Sequence, residues 1–431
     1  MDWFDYRDGQ LFCEDVNVDE LAARVGTPLY LYSQRTLEHH YDALNRAFAP
    51  LNPLLCYSIK SCGNINLIRL LANRGAGMDI VSGGELYRAQ QAGVPTNKIV
   101  YAGVGKTDSE IVDALEAGIH SFNIESEAEF ENIAAIAAAT GATGRAMLRV
   151  NPDVADPNTH AKTTTGARET KFGVDIDRAV RFFERYSAHQ HLKLTGIHLH
   201  IGSPIYSPEP YVRAIRRALV LIDDLRSRGS TIDTLNIGGG YAADYESGAS
   251  PTYEDYAAAI VPLLQDQNLS IIMEPGRTIS GNAGILITRV QYIKTGGTKI
   301  FVIVDAGMHH LVRPAMYDAF HFIWPTHVVP DHVPAQRSAD MPNQGLDAVE
   351  VVGPICETGD VLAAHRALPP VARGDLLAVY TAGAYGMTMV SNYNAMPRPA
   401  EVLVSSDRAT LIRRRETYDD LVAPERDPAD V

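Results

Sequence analysis

Eight short apolar or β-branched runs, at 54–60, 77–82, 98–103, 121–125, 145–151, 194–202, 234–240 and 270–274, recur between residues 51 and 280. Longer Ala/Leu/Arg/Glu-rich stretches separate them, with helical periodicity at 109–117, 126–139 and 211–228. Runs of this length bounded by turn-forming residues read as buried strands, and strand–helix alternation requires parallel strands joined by crossovers. Eight such units predict an α/β chain built on a (β/α)8 TIM-type barrel, expected over 36–280. After residue 281 the pattern changes. Runs at 285–290, 299–305 and 376–380 read as strands without long helices between them, which predicts a second, mainly β domain of sandwich-like or barrel-like form. The run at 28–32 can join it, so that domain is expected to comprise 1–35 plus 281–431, with the barrel inserted. The Pro-, Asp- and His-rich segment 325–345 predicts a long surface loop, and 423–431 a frayed tail.

Two domains also fit a chain of 431 residues with 46% hydrophobic content. A net charge of −14 opposes nucleic-acid and anionic-membrane binding, so an anionic ligand must meet a local cluster of donors. The opening residues, MDWFDYRD, lack a basic region followed by an apolar run, and no segment approaches a membrane span; the expected location is cytoplasmic. Cys13, Cys56, Cys62 and Cys356 form no C-x-x-C pair and read as free thiols.

In such a barrel the strands' C-terminal ends build the site, and here those ends are unusually polar. The first run ends on Lys60, although an ammonium is costly to bury unless paired or deprotonated. The second runs into Ser82-Gly83-Gly84-Glu85 and the sixth into His198-Leu199-His200-Ile201-Gly202-Ser203. The seventh ends in Gly238-Gly239-Gly240 and the eighth in Glu274-Pro275-Gly276-Arg277. Residues two apart share a strand face, which pairs Ser58 with Lys60 and His198 with His200. Successive glycines let backbone N–H groups approach phosphate, and barrels use the loops after strands seven and eight for that purpose. A lysine nucleophile, a phosphate cradle, a histidine and a carboxylate in one barrel mouth match what pyridoxal 5′-phosphate requires, with the Schiff base on Lys60. No metal-spaced cluster competes.

These residues resemble the barrel-type pyridoxal-phosphate decarboxylases of basic amino acids, and within them the diaminopimelate decarboxylases, over nearly the whole chain. The resemblance implies that Lys60 carries the cofactor, His200 stacks on its ring and Ser203 lies near its phosphate. It also implies that Gly238, Gly239 and Gly240 bind the phosphate. Glu274-Pro275-Gly276-Arg277 is similar to the family's E-P-G-R, whose glutamate faces the pyridine nitrogen and whose arginine serves cofactor and substrate. His160 with Thr165-Gly166 resembles the H-x-x-x-x-T-G loop, and Arg313-Pro314-Ala315-Met316-Tyr317 the substrate-binding R-P-x-x-Y. Gly353-Pro354-Ile355-Cys356-Glu357-Thr358-Gly359-Asp360 is similar to G-P-x-C-E-S/T-G-D. There the cysteine donates a proton and the glutamate binds substrate in the neighbouring subunit's site. Tyr385 matches a tyrosine that contacts phosphate and substrate. The implied activity is decarboxylation of meso-2,6-diaminopimelate to L-lysine, the last step of lysine biosynthesis, by a homodimer with shared sites.

The chain departs from the family's Y-A-x-K-A-N at Tyr57-Ser58-Ile59-Lys60-Ser61-Cys62, and Pro204 stands where a glutamine commonly follows H-I-G-S. A decarboxylase for ornithine, arginine, carboxynorspermidine or a carrier-tethered amino acid is the nearest alternative. A non-catalytic decarboxylase-like regulator is the alternative from another class; it would be expected to have lost some of these residues.

Overall fold

The computed structural model describes residues 1–154, 156, 159, 165, 171–341 and 345–427, and in it each of the eight apolar runs contains a parallel strand. In order these are β1 (Leu54–Ser58), β2 (Gly77–Ile80), β3 (Ile99–Tyr101), β4 (Ser121–Ile124), β5 (Gly144–Asn151), β6 (Leu192–His198), β7 (Thr234–Asn236) and β8 (Ser270–Met273). Each pairs with the next, and Ile272 of β8 pairs with Leu54 of β1, which closes the barrel. Cys56, Val100, Met147 and Ile272 form a buried core cluster with Leu54 packed against it, which explains an apolar environment for one free thiol.

Local capping chemistry decides where the helices begin. Thr107 and Glu110 form a capping box ahead of Asp108–Ala117, Ser126 caps Glu127–Thr140, and Ser82 caps Gly83–Gln91. Gly118 and Gly141 end the first two of these helices in the left-handed conformation. Ser126 is therefore a cap outside its helix rather than the first helical residue.

Several strands stop short of their apolar runs. β1 ends at Ser58 and the chain turns through a 3₁₀ segment, Ile59–Ser61, in which Ser61 Oγ donates to the Ser58 carbonyl at 2.8 Å. β6 ends at His198, four residues before the expected end, and β7 at Asn236. The polar ends lie just beyond the ladder, where the backbone is free to turn its side chains inward.

The chain divides into two units, one of His40–Ala242 and Ser250–Thr278 holding the barrel, the other of Met1–His39, Ala243–Ala249 and Ile279–Val431. The latter is mainly β. The long strand β9 (Gly284–Gly296) pairs with β10 (Lys299–Val304), with β14 (Leu376–Val379) and, antiparallel, with the N-terminal strand Leu29–Ser33. β14 also pairs with β11 (Ile323–Pro325), β10 continues to β12 (Asp347–Val352) and β13 (Val361–Leu368), and Leu29–Ser33 to β15 (Ala400–Ser405) and β16 (Arg408–Arg413). Among the described residues no helix is long and apolar enough to cross a membrane.

Candidate active site

Lys60 lies in the 3₁₀ turn after β1, and its Nζ is 2.6 Å from Oδ2 of Asp79 in β2. The ammonium is thus paired, which answers its cost of burial, while a third of its side chain stays exposed. Ser58 Oγ has Asp79 Oδ2 at 2.6 Å and the Glu274 carbonyl at 3.1 Å; its single proton goes best to the nearer carboxylate. Ser58, a departure from the family pattern, therefore acts on the partner of Lys60. Burial drives the Asp79 carboxyl above its ordinary value against the opposing pull of Lys60.

Glu274 follows β8 and is buried. Asn123 Nδ2 and Asn236 Nδ2 donate to its Oε1 at 2.9 and 2.6 Å, and His198 Nε2 donates to Oε2 at 3.2 Å. Burial alone would raise this carboxyl, but His198 and Lys60 outweigh it and hold the group well below the usual carboxylate range. Glu274 is an anion in a buried setting, with both of its oxygens accepting hydrogen bonds.

His200 lies beyond the end of β6, and the Gly239 N–H points at its Nδ1, 3.4 Å away. A ring nitrogen that accepts carries no proton, so this imidazole is neutral. Burial, Arg149 and Lys60 push it the same way, well below the ordinary histidine value. Thr165 Oγ1 donates to the His200 carbonyl at 3.1 Å, while His160 and Gly166 of the same motif lie outside the described residues. Arg277 Nε donates to Ser203 Oγ at 3.1 Å. The three glycines are demanded by backbone packing as well as by any ligand. A Cβ on Gly238 would meet the Leu199 carbonyl at 2.2 Å, on Gly239 the Glu274 carbonyl at 2.1 Å, and on Gly240 the Gly202 carbonyl at 2.3 Å. A Cβ on Gly276 would meet Ser58 Cβ at 2.9 Å.

Within the other unit Arg313 is buried. His321 Nδ1 donates to the Tyr380 carbonyl at 2.9 Å, so its Nε2 accepts from Arg313 Nη1, also at 2.9 Å. The guanidinium lies over Tyr245 at 4.6 Å, and Tyr317 is half-buried on the same short helix as Arg313. Cys356 and Glu357 are exposed, and Tyr393 Oη donates to Glu357. Asp360 shapes their turn: its carboxylate accepts from Met308 N–H at 2.5 Å and Ile355 N–H at 2.7 Å. Tyr385 is half-buried in a left-handed backbone conformation with φ 55°.

Lys60, His200, Ser203, the glycine turn, Glu274, Gly276 and Arg277 thus share the barrel unit, while Arg313, Tyr317, Cys356, Glu357 and Tyr385 belong to the other. Sequence reasoning missed Asp79, Asn123 and Asn236 as members of the polar cluster, and His321 beside Arg313. The first three had a signal in the polar residue interrupting an apolar strand; His321 had none.

Residues 34–281 match the family described as "Pyridoxal-dependent decarboxylase, pyridoxal binding domain". A diaminopimelate decarboxylase of Aquifex aeolicus is 46% identical over 426 residues, 99% of this chain and 98% of that protein. One from Haemophilus influenzae is 43% identical over 426 residues, 99% of each. The crystal structure of diaminopimelate decarboxylase from M. jannaschii in co-complex with L-lysine superposes with a TM-score of 0.90 at 35% identity, covering 99% of this chain and 98% of that one. The chain belongs to the diaminopimelate decarboxylase family of pyridoxal-dependent decarboxylases.

The barrel residues fit that cofactor. An ionised, buried carboxylate suits a protonated pyridine nitrogen, a neutral imidazole suits stacking, and Arg277 with the Gly240 N–H, which has no acceptor among the described residues, suits a phosphate.

Proposed function

We propose that the chain decarboxylates meso-2,6-diaminopimelate to L-lysine and carbon dioxide, using pyridoxal phosphate held in the barrel. The observation that carries this reading is its full-length likeness, at 46% identity, to a diaminopimelate decarboxylase. Bound pyridoxal phosphate supplies the electron sink that accepts the bonding pair left when the carboxylate departs.

The chain's own residues take these parts. Lys60 would carry the cofactor through its Nζ, which Asp79 holds at 2.6 Å. Glu274 would keep a proton on the ring nitrogen, His200 would stack on the ring, and Ser203, Gly238, Gly239, Gly240, Gly276 and Arg277, with Tyr385, would hold the phosphate. Arg277 and Arg313 receive substrate carboxylates, which a guanidinium fork binds bidentately. Glu357, Tyr317, Tyr385 and His160 position the distal amino-acid end, and Cys356 delivers the proton that replaces carbon dioxide.

We take the working form to be a homodimer in which Cys356 and Glu357 complete the partner's site. In this reading 36–280 is the cofactor-binding domain and 1–35 with 281–431 completes the sites. Four free thiols suit a reducing compartment, and we take that compartment to be the cytoplasm.

The test offers meso-, LL- and DD-diaminopimelate, ornithine and arginine separately to cofactor-loaded protein, with carbon dioxide and products measured. Lysine from the meso isomer, with little turnover of ornithine or arginine, is expected. Preference for ornithine or arginine would keep the cofactor chemistry and discard the substrate.

A further inference from the structure

Three buried tyrosines pack together beside the glycine turn in the barrel unit. The rings of Tyr211 and Tyr241 stack at 5.1 Å, and Tyr256 meets both edge-on at 5.8 and 5.2 Å. Their hydroxyls are used differently. Tyr211 Oη donates to the Gly239 carbonyl at 3.0 Å, and Tyr256 Oη to the Ile205 carbonyl at 2.6 Å. The Ile205 N–H in turn donates to the Gly240 carbonyl at 2.9 Å.

The Gly239–Gly240 peptide is planar and trans, so its oxygen and its N–H point in opposite directions. Anchoring the oxygen therefore aims the N–H. This matters at glycine in particular: Gly240 has φ +105°, in a region other residues rarely visit, and without an anchor the flanking torsions are loose. Gly238 N–H is already engaged by Asn236 Oδ1 at 2.9 Å, whereas Gly240 N–H has no acceptor among the described residues. Accepting a hydrogen bond at the oxygen also polarises the peptide and strengthens its N–H as a donor.

We propose that Tyr211 is a positioning residue for the cofactor's phosphate: its hydroxyl holds the Gly239–Gly240 peptide so that the Gly240 N–H faces the phosphate oxygen. The inference rests on the reading of the glycine turn as the phosphate site. Burial, reinforced by Tyr241 and Tyr256, pushes the Tyr211 hydroxyl well above its ordinary value, so it remains a donor through the working pH range.

The test titrates full-length apoprotein and its Tyr211→Phe variant with pyridoxal phosphate and with pyridoxal, which lacks the phosphate. Loss of one hydrogen bond's orienting effect should weaken pyridoxal phosphate about fivefold and leave pyridoxal unchanged. Equal loss of both ligands, the signature of a packing role, or no loss at all overturns the proposal. In parallel, inorganic phosphate is added to glycine-¹⁵N-labelled apoprotein and the Gly240 amide followed. Failure of that amide to respond overturns the phosphate-site reading itself; a response without a change in the pyridoxal phosphate to pyridoxal ratio overturns only the role of Tyr211. Should the variant not fold, 3,5-difluorotyrosine incorporated at position 211 keeps ring and hydroxyl while making a stronger donor. It must tighten pyridoxal phosphate alone, and an unchanged ratio overturns the proposal.

Discussion

Glu274 and Glu85 are carboxyls of the barrel unit that their surroundings drive in opposite directions. Glu274 is held ionised by His198 and Lys60 despite burial. Replacing it with glutamine keeps the shape and removes the charge, so in the proposed reading the proton on the ring nitrogen would lose its counterion in a buried setting that screens poorly. The Glu274→Gln variant should bind cofactor yet lose several kcal/mol of transition-state stabilisation, about a thousandfold in kcat, read by carbon dioxide release. Glu85, half-buried after β2, is raised by burial to about 7, although its carboxylate accepts the Val81 N–H at 2.8 Å. A folded-state value above the unfolded one means the fold binds the proton more tightly, so this contribution is complete at low pH and lost as pH rises through 7. Glu85→Gln keeps an acceptor for Val81 and avoids the cost of ionisation. It should therefore exceed the unsubstituted apoprotein in stability by about 3 kcal/mol at pH 8 and by almost nothing near pH 4, read from denaturant unfolding. The opposite ordering would show that Glu85 is ionised at little cost. The sequence signal for Asn123, Asn236 and Asp79 was incomplete: each is a polar residue inside a run whose apolar character identified it as a strand, and it marks an inward-facing group only once the barrel's closure is known.

The turn Gly353–Asp360 owes its shape to one carboxylate. Asp360 accepts two backbone N–H groups from Met308 and Ile355, and both nearby glycines are required by contact. A Cβ on Gly353 would meet Asp360 Oδ2 at 2.4 Å, and one on Gly307 the same atom at 2.6 Å. Asp360→Ala leaves two donors unsatisfied, a cost of about 2–3 kcal/mol, and Asp360→Asn is little better because its amide would confront one donor with another. Both variants should slow product formation while cofactor absorbance is largely preserved, because the turn carries Cys356 and Glu357 and, in the proposed reading, every cofactor residue except Tyr385 belongs to the barrel. Loss of cofactor in step with activity would contradict that separation. The motif was readable in the sequence; the reason for its aspartate and glycines was not, because Met308 lies 52 residues away and only the fold brings it there. The barrel strands show the reverse pattern. Their existence followed from periodicity, but alternation misplaced their ends. Ile59–Ser61 forms a 3₁₀ turn where extended backbone was expected, so Ser58 and Lys60 meet at Asp79 through that turn rather than through a shared strand face.

The eight-fold rhythm of strands and helices made the barrel legible because each βα unit buries its own apolar face, a local property that periodicity records. Assembly is not local in that way. Cys356 and Glu357 are both exposed, and nothing in their immediate sequence says which copy of the chain they serve. If each site takes Lys60 from one protomer and Cys356 from the other, two inactive variants must repair one another. Lys60→Ala and Cys356→Ala should each be inactive or nearly so as pure dimers. Mixed, dissociated and reassociated in equal amounts, they form hybrids in about half of the dimers by random pairing. In a hybrid, one site combines the intact Lys60 with the intact Cys356 of the other protomer, and the second site lacks both. One working site in half of the dimers restores about a quarter of the unsubstituted activity. Were Cys356 to serve its own protomer, every hybrid site would lack one of the two groups and mixing would restore nothing. The activity of the reassociated mixture, with sedimentation confirming that dimers have re-formed, therefore separates a shared site from a self-contained one.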